Sequence, residues 1–363
     1  MHNADNENND SRRRPKLVAI SMGCPVGIGP EIILSFLAEG KLPQGYLPVV
    51  AGDIGVLQRL AKEMRLNREI ISWQPGKEVD PEKIQVVEPV SSGRCSLQSE
   101  KLQWGKPGKE TGHAAVAYIR AAVSLVKRGV CDALVTCPIA KHVIQQAGYD
   151  FPGHTEMLAS LCDTGNYGMM MAGNRLKVSL VTIHTPLARV AGELSRTEVS
   201  RIIELTGKTL VSDFGITIPH IAVAGFNPHS GEASLFGDEE KNIIAPAIAA
   251  AASDKWKLTG PLPPDTVFKM ALDSRFDAVV AMYHDQGLIP FKLVHFEDGV
   301  NFTMGLPLIR TSVDHGTAYD IAGKGLASHT SLAAAFLLAT EIAGNRRKLE
   351  NTGQDPAVQR ALD

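Results

Sequence analysis

The sequence predicts an α/β protein built on a largely parallel sheet, and three features indicate this class. Short apolar, β-branched runs alternate with helix-like segments along the chain. Several of these runs end directly in polar side chains, which is typical of strands whose carboxyl ends bind a ligand. The 363 residues are enough for two domains of ordinary size, and 44% of them are hydrophobic, as in a normal globular protein.

Strands and helices are predicted in alternation from residue 16 onwards. The first strand, Lys16–Ser21, leads into a glycine-rich turn and a helix-like segment, Ile32–Leu37. Such a turn suits an anion at the start of a helix, but it lacks the GxGxxG spacing and is common without any ligand. Later strands are predicted at 48–53, 133–136, 178–183, 221–224 and 278–282, and helices at 56–64, 114–127 and 197–210. The polar region 72–112 is predicted to be irregular or edge structure.

Composition argues against several classes of protein. The formal charge of −2 gives no electrostatic basis for binding nucleic acid or an anionic membrane. No apolar run approaches the roughly 20 residues of a membrane span. The five cysteines are odd in number and widely spaced, so we expect no disulfide framework and favour a reducing, cytoplasmic compartment. Residues 1–15 are predicted to be a disordered tail and residues 346–363 a C-terminal tail, because both segments are polar.

The stretch from Asp277 to Arg310 contains the strongest candidate site. A buried-strand pattern is followed at once by the polar sequence YHDQG. Lys292, Asn301 and Arg310 come next, and each is a good anchor for an anion or an amide. The stretch therefore predicts a site for a small anionic substrate, against the alternative of a solvated loop after a core strand.

Three histidines follow three strand-like runs in the same way. These are His184, His229 and His284. If the strands are neighbours, the three imidazoles can meet at one sheet edge and hold a divalent metal, and imidazole nitrogen suits zinc. Asp285 and Glu232 are near enough in sequence to orient them. Each histidine taken singly is more often a structural residue than a ligand.

Two further segments have candidate binding roles. His154 lies in a predicted loop beside Thr155, where both side chains suit hydrogen bonds to a substrate. The segment 312–325 is rich in glycine and small residues, which would allow a nucleotide to approach the backbone closely. The alternative for this segment is a loop that leads into a helix.

Several ordered motifs together resemble the 4-hydroxythreonine-4-phosphate dehydrogenase family (PdxA), NAD-dependent enzymes of pyridoxal 5′-phosphate biosynthesis. The motifs are PVGIGPEI, CPIAKHVIQQAGYDFPGHTE, TIHTPL, GFNPHSGE, GPLPPDT, MYHDQGLIPFK and GVNFTMGLPLIRTSVDHGTAYDIAGKG. The resemblance runs from about Lys16 to Ala343. It implies the two-domain α/β/α fold of isocitrate and isopropylmalate dehydrogenases, with an interdomain cleft. It also implies a homodimer with the active site at the subunit interface.

The resemblance assigns both domains and residue roles. Residues 16–149 and 303–345 would form a discontinuous NAD-binding domain, and residues 150–302 a metal, substrate and dimerisation domain. The implied metal ligands are His184, His229 and His284. The implied substrate contacts are His154, Thr155, Lys292, Asn301 and Arg310, with Asp265 and Asp285 near the reacting carbons. The implied NAD contacts are His315, Gly316, Thr317, Ala318 and Asp320.

The implied reaction is the NAD-dependent oxidation and decarboxylation of 4-phosphooxy-L-threonine to 3-amino-2-oxopropyl phosphate. Zinc is the expected metal, with magnesium, cobalt, manganese and nickel as alternatives. A dehydrogenase of the same family acting on D-threonate or D-erythronate 4-phosphate is the nearest alternative, and a phosphate acyltransferase is a remote one. The chain has Cys24 where the family usually has an acidic residue, and Val26 where it has alanine. This difference indicates either an altered substrate preference or, as we favour, a tolerated change in a loop that binds through its backbone.

Overall fold

The computed structural model of the chain describes residues 16–89 and 97–351, and these ranges form one mixed sheet with helices on both faces. The predicted tail at 1–15 lies outside the described residues. The strands are β1 Lys16–Ser21, β2 Tyr46–Ala51, β3 Ile70–Ser72, β4 Ile84–Val87, β5 Ala133–Thr136, β6 Gly168–Ala172, β7 Lys177–Leu180, β8 His220–Ala224, β9 Lys257–Leu262, β10 Ala278–Ala281, β11 Val300–Met304 and β12 Ile309–Val313. The helices are α1 Gly29–Glu39, α2 Ile54–Glu63, α3 Lys109–Lys127, α4 Lys141–Gln146, α5 His154–Leu161, α6 Leu187–Glu193, α7 Arg196–Ser212, α8 Ala245–Ala250, α9 Pro264–Leu272, α10 His284–Val294 and α11 Thr330–Asn351.

The sheet consists of two parallel groups of strands that run in opposite directions. Its order is β3-β4-β2-β1-β5-β12-β11-β6-β7-β10-β8-β9. The six strands from β3 to β12 are mutually parallel, and so are the four from β7 to β9. The strands β11 and β6 stand between the two groups and pair antiparallel with each other and with both neighbours. The strands on one side of β11 and β6 therefore run in the opposite direction to the strands on the other side.

Helices cover both faces of the sheet, as the alternation of strand side chains requires. In β1, Val18 and Ile20 pack into one core together with Phe336 of α11. Ala19, which points to the opposite face, packs into a second core together with Ile119 of α3. The fold is thus an α/β/α sandwich, and the predicted α/β class is confirmed.

The region 72–112 is more regular than the sequence indicated. It contains the parallel strand β4, which lies between β3 and β2, and helix α3 begins within it at Lys109. Gln85 of β4 is buried and its amide donates to the carbonyl oxygen of Asp80, so a polar residue at a core position obscured the strand pattern. Within the described ranges, no helix combines the length and apolar character that a bilayer span requires.

The C-terminal part of the chain returns to the first group of strands. Strand β12 pairs with β5, and α11 packs against both. Helix α11 continues to Asn351, so residues 346–351, which the sequence assigned to the tail, are helical. The division into domains at 149/150 and 302/303 stays a prediction, and β11 spans the second of these positions.

A buried ion pair explains why α11 extends beyond residue 345. Arg346 Nε lies 2.7 Å from Asp213 Oδ1, and Arg346 Nη2 donates to Asp213 Oδ2 at 3.0 Å. Asp213 is almost completely buried at the end of α7. The next residue, Arg347, pairs instead with Asp132, and both of those side chains are partly exposed.

We predict that Arg346→Met destabilises the protein far more than Arg347→Met. The first change leaves the Asp213 carboxylate buried without its partner, which costs about 3–5 kcal/mol. The second removes a half-exposed pair, which is worth about 0–1 kcal/mol. Urea unfolding of the two variants beside the wild type measures both differences. Equal losses of unfolding free energy in the two variants would contradict the assignment.

Candidate active site

A cavity of about 290 Å³ lies over the middle of the sheet, where the two parallel groups meet. Its walls come from the segments after β5, β7 and β12, from the start of α5, and from β6, β11 and β12 themselves. The lining residues are Pro138, Ile139, Lys141, Gly153, His154, Thr155, Glu156, Met169, Ile183, His184, Asn301, Arg310, Ser312, Val313, Asp314, His315 and Gly316. The cavity therefore joins residues that are far apart in sequence.

Arg310 supplies a buried positive charge to this cavity. It donates from Nε and Nη2 to Thr136 Oγ1 at 3.1 and 2.8 Å, and from Nη1 to Thr303 Oγ1 at 3.0 Å and to Asn301 Oδ1 at 3.2 Å. All of these acceptors are neutral oxygens. Burial lowers the pKa of Arg310 and the charge of Glu156 partly offsets this, so that the resulting pKa is about 9. The guanidinium is therefore charged at neutral pH. The site can therefore attract an anionic group of the substrate.

His154 and Thr155 form the first turn of α5, directly after the extended Gly153. Burial and then the charge of Arg310 hold the pKa of His154 well below its usual value. His154 Nε2 is buried, and it has no hydrogen-bond partner among the described residues. A neutral imidazole with a free ring nitrogen at a cavity wall is suited to a hydrogen bond with a substrate.

Lys292 lies on α10 and reaches the cavity indirectly. Its Nζ is 2.9 Å from Oδ2 of Asp314, which lines the cavity. The lysine therefore balances the Asp314 carboxylate at this wall. A substrate anion bound by Lys292 would share the ammonium group with Asp314.

The three histidines predicted as metal ligands follow three adjacent strands, β7, β10 and β8. The ring centroids of His184 and His284 are 6.0 Å apart. A tetrahedral ion with bonds of about 2.0–2.1 Å places two ligating imidazole ring centroids roughly 5 Å apart, so these two rings lie near each other but slightly beyond the spacing of ligands to one such ion. His284 Nδ1 lies 2.7 Å from Asp285 Oδ1, which leaves Nε2 available as a ligand. Burial, Lys141 and His284 lower the pKa of His184, and a ligand imidazole must be neutral.

His229 is not brought together with the other two histidines. Within residues 16–89 and 97–351, no three His, Cys, Asp or Glu side chains converge on a point that could hold a metal ion. His229 begins a turn of six consecutive residues, His229–Ser234, whose φ angles are 52, 57, 80, 40, 54 and 73°. We call this segment the left-handed turn. Only one of the six residues is glycine, and each of the others costs about 1–2 kcal/mol in this conformation, so the surrounding structure must hold it.

The segment predicted to bind NAD lies partly in the cavity. His315 and Gly316 line it, His315 Nε2 is buried without a partner among the described residues, and a side chain at Gly316 would meet open space. These features fit a bound nucleotide. Thr317, Ala318 and Asp320 follow outside the cavity lining.

The turn between β1 and α1 supports this cofactor segment from behind. Ile28 N donates to Thr317 O at 3.1 Å. The buried Glu31 carboxylate accepts from Gly323 N at 3.0 Å and from Ala327 N at 2.7 Å. The glycine-rich turn therefore acts on the site through packing and backbone contacts.

Cys24 belongs to the same supporting turn. It is buried, and its Sγ accepts a hydrogen bond from the Tyr319 hydroxyl at 3.3 Å. Burial raises the pKa of the Cys24 thiol, which keeps it protonated at neutral pH. Cys24 is absent from the cavity lining, which favours a tolerated change in the turn over a change at the substrate itself.

The sequence motifs contained further cavity residues to which no role was assigned. Lys141 and Glu156 line the cavity, and they act on the pKa of His184 in opposite directions. Lys141 follows β5 closely, so its position after a strand was the available signal, whereas Glu156 lies in the first turn of α5 beside His154 and Thr155. Asp265 lies in the exposed first turn of α9, and Asp285 is exposed beside His284.

Comparison with known proteins identifies the family. Residues 45–339 match the family model described as pyridoxal phosphate biosynthetic protein PdxA. The chain belongs to the PdxA family. It is 51% identical over 334 residues to a 4-hydroxythreonine-4-phosphate dehydrogenase of Desulfosudis oleivorans, with 90% of this chain and 95% of that protein covered.

Two other members of the family extend this comparison. The chain is 44% identical over 332 residues to a D-threonate 4-phosphate dehydrogenase of Salmonella typhimurium, with 90% and 99% of the two chains covered. A solved 4-hydroxythreonine-4-phosphate dehydrogenase from Klebsiella pneumoniae superimposes with a TM-score of 0.82 at 42% identity, and covers 90% of this chain and 99% of its own. The family predicted from the motifs is thus confirmed, and the chain is a dehydrogenase.

The lowered pKa of His154 predicts a pH effect on stability. The folded protein keeps this imidazole neutral, whereas the unfolded chain takes up a proton below pH 6.5. The contribution of the neutral His154 to the free energy of unfolding is therefore complete above pH 6.5. It is lost as the pH falls from 6.5 towards the lowered pKa of His154 in the folded protein. We expect the wild type to lose up to about 1.4 kcal/mol more per pH unit below 6.5 than His154→Gln. Urea unfolding between pH 7.5 and 5.5 measures this, and parallel profiles would contradict it.

Proposed function

We propose that the chain is a metal-dependent, NAD-linked dehydrogenase. It oxidises 4-phosphooxy-L-threonine at its C3 hydroxyl and releases CO2, giving 3-amino-2-oxopropyl phosphate. The observation that carries the proposal is the position of Arg310 in one cavity with His154 and His184. Arg310 is a buried cation whose hydrogen-bond partners among the described residues are all neutral oxygens. The substrate is a small phosphorylated acid, and such a cavity suits it in size, charge and hydrogen-bonding groups.

The chain's own residues would bind and orient the substrate. Arg310 neutralises an anionic group through its planar guanidinium, and Lys292 shares its charge between Asp314 and the substrate. His154, Thr155 and Asn301 supply directional hydrogen bonds. These contacts would hold the C3 carbon in one orientation, and such positioning lowers the barrier to reaction.

His184 and His284, whose rings lie near each other, would hold the divalent metal, with zinc as the expected ion. His229 is the third ligand that the motifs imply, and it does not converge with the other two within the described residues of a single chain. When bound there, the ion acts as a Lewis acid on the substrate oxygen at C3. His315, Gly316, Thr317, Ala318 and Asp320 would hold NAD, which accepts the hydride. Asp285 fixes the His284 ring through Nδ1, and we therefore assign it an orienting role.

The proposed reaction balances without a further reactant. The C3 hydride would pass to NAD, and the hydroxyl proton would pass to a base. The resulting β-keto acid loses CO2, and the carbon that carried the carboxylate takes up one proton. Asp265 is our candidate for the group that transfers these protons, because Asp285 is engaged with His284.

A four-carbon sugar-acid phosphate is the second candidate substrate. The 44% identity to a D-threonate 4-phosphate dehydrogenase favours it specifically. D-Threonate 4-phosphate carries a hydroxyl where 4-phosphooxy-L-threonine carries an amino group. Both substrates present a phosphate and a carboxylate to the same cations.

We further propose that the enzyme is a cytoplasmic homodimer with the active site near the subunit interface. Ile289 and Leu293 on α10 and Phe296 just beyond it are 62, 83 and 77% exposed. Their spacing puts these three side chains on one side of α10 and its extension. The same helix carries His284 and Lys292. A second copy of the chain would cover this apolar side. The cytoplasm supplies NAD and keeps thiols reduced, in agreement with the four free cysteines of the described ranges.

We predict that the metal-replete protein forms NADH with 4-phosphooxy-L-threonine and prefers it to D-threonate 4-phosphate. The two compounds are assayed side by side by absorbance, with CO2 release as a second readout. Preference for D-threonate 4-phosphate would leave the proposed site chemistry unchanged and would make the sugar-acid phosphate the substrate. Failure to form NADH with either compound would overturn the proposed function.

We also predict that His184→Ala and His284→Ala each weaken metal binding by at least about a hundredfold, since each removes a ligand. The chelator-treated protein is titrated with Co2+, and the visible absorption of the bound ion reports the dissociation constant. His220→Asn is the matched control. His220 is the first residue of β8, its ring hydrogen-bonds Thr259 of β9, and it is not among the residues that line the cavity. Unchanged Co2+ affinity in both alanine variants would contradict the proposed ligand set.

A further inference from the structure

The guanidinium of Arg310 is held by two threonine hydroxyls and one amide oxygen. Thr136 Oγ1, at the end of β5, accepts hydrogen bonds from two nitrogens of Arg310, from Nε at 3.1 Å and from Nη2 at 2.8 Å. Thr303 Oγ1 and Asn301 Oδ1, both on β11, accept from Nη1 at 3.0 and 3.2 Å. Thr136 therefore fixes the Nε–Nη2 edge of the guanidinium, and β11 fixes Nη1.

The pairing of the strands places all of these side chains on one face of the sheet. Thr136 pairs with Ser312, two residues beyond Arg310 in β12, and side chains two residues apart in a strand point the same way. Asn301 of β11 also pairs with Ser312. Thr303 lies two residues further along β11 and so shares this face. The contacts therefore follow from strand pairing in the middle of the sheet.

These contacts leave one donor of the guanidinium unused. Arginine carries five N–H groups, and its four hydrogen bonds occupy four of them. The remaining N–H is on Nη2 and has no acceptor among the described residues. Arg310 is 2% exposed and lines the cavity, so this N–H and the positive charge are available to a ligand there. The direction of the unused N–H depends on Thr136, because Thr136 binds the other N–H of the same nitrogen.

A threonine suits this position because it orients the cation without neutralising it. A carboxylate partner would form a strong bidentate pair with the guanidinium and would cancel the charge that attracts a substrate anion. A hydroxyl oxygen accepts hydrogen bonds but carries no net charge. Threonine is also stiff about χ1, and Thr136 is fully buried, so its oxygen stays in one place.

We propose that Thr136 is a positioning residue for Arg310. Its hydroxyl holds the Nε–Nη2 edge so that the unused N–H meets the anionic group of the phosphorylated substrate, and it thereby sets the affinity for that substrate. Thr136 is absent from the cavity lining and acts only through Arg310. The inference rests on the proposed function, in which Arg310 binds the substrate anion, and it applies equally to both candidate substrates.

The substitution Thr136→Val tests this with almost no change of shape, since a methyl group replaces the hydroxyl. With whichever candidate substrate the wild type oxidises, we expect KM to rise by about 10–100-fold and kcat to change by less than about threefold. Calorimetric titration of the NAD-free protein with the same compound measures the loss of affinity independently of turnover. Thr136→Ser restores the hydroxyl, and we expect its affinity to return to within about threefold of the wild type.

Thr311→Val is the matched control for the loss of a buried hydroxyl. Thr311 is the residue after Arg310 in β12 and is also fully buried, but its hydroxyl donates to Ala335 O of α11, and it does not line the cavity. We expect less than about a twofold change in KM. If Thr136→Val does not fold, Thr136→Cys keeps a weak acceptor of similar size and should raise KM in the same direction. An unchanged KM in that variant would overturn the inference.

Arg310→Met, measured in parallel, distinguishes the two possible failures. If Arg310→Met weakens substrate binding and Thr136→Val does not, the positioning role is wrong and the proposed role of Arg310 stands. If Arg310→Met leaves substrate binding unchanged, or if the wild type binds neither candidate substrate, the proposed function is wrong and the positioning role fails with it. Equal losses in Thr136→Val and Thr311→Val would indicate general damage and would also overturn the inference. Loss of affinity in Thr136→Val alone, with recovery in Thr136→Ser, supports it.

Discussion

The buried guanidinium of Arg310 is the interaction on which the site depends. Removing a charge from water is costly unless its hydrogen bonds are satisfied, and here the acceptors come from β5 and β11, the two strands that flank β12. These strands meet where the direction of the sheet reverses. The reversal gathers neutral oxygens around the cation without adding a hydrogen-bonded carboxylate. The cation is therefore held by neutral oxygens and is offset only at a distance by Glu156, which leaves its hydrogen-bonding environment suited to an anionic ligand.

The same positive charge shapes the chemistry of its neighbours. It adds to burial in lowering the pKa of His154, while Lys141 does the same for His184. Both imidazoles are therefore neutral near physiological pH, which suits one for hydrogen bonding and the other for metal ligation. Asp314, which also lines the cavity, balances the charge of Lys292.

Two buried carboxylates outside the cavity each hold one irregular loop. Glu31 accepts two backbone N–H groups from the segment after the predicted cofactor residues, and Glu240 accepts two from the loop that carries His229. A carboxylate can satisfy several N–H donors at once, so it suits loops that lack the regular hydrogen bonds of helices and strands. Glu31 occurs in the PVGIGPEI motif, where sequence alone does not separate such support from direct binding.

The sequence by itself determined the α/β class, the family and the strand-end positions of the three histidines. These properties follow from local patterns, because apolar runs define buried strands and motif spacing is written directly in the chain. Only the tertiary structure decided that Arg310 lies among neutral oxygens, that His184 and His284 are close together while His229 is held apart on a left-handed turn, and that Cys24 contacts Tyr319. Such facts depend on contacts between residues up to 295 positions apart, and on a reversal of strand direction that no local pattern encodes.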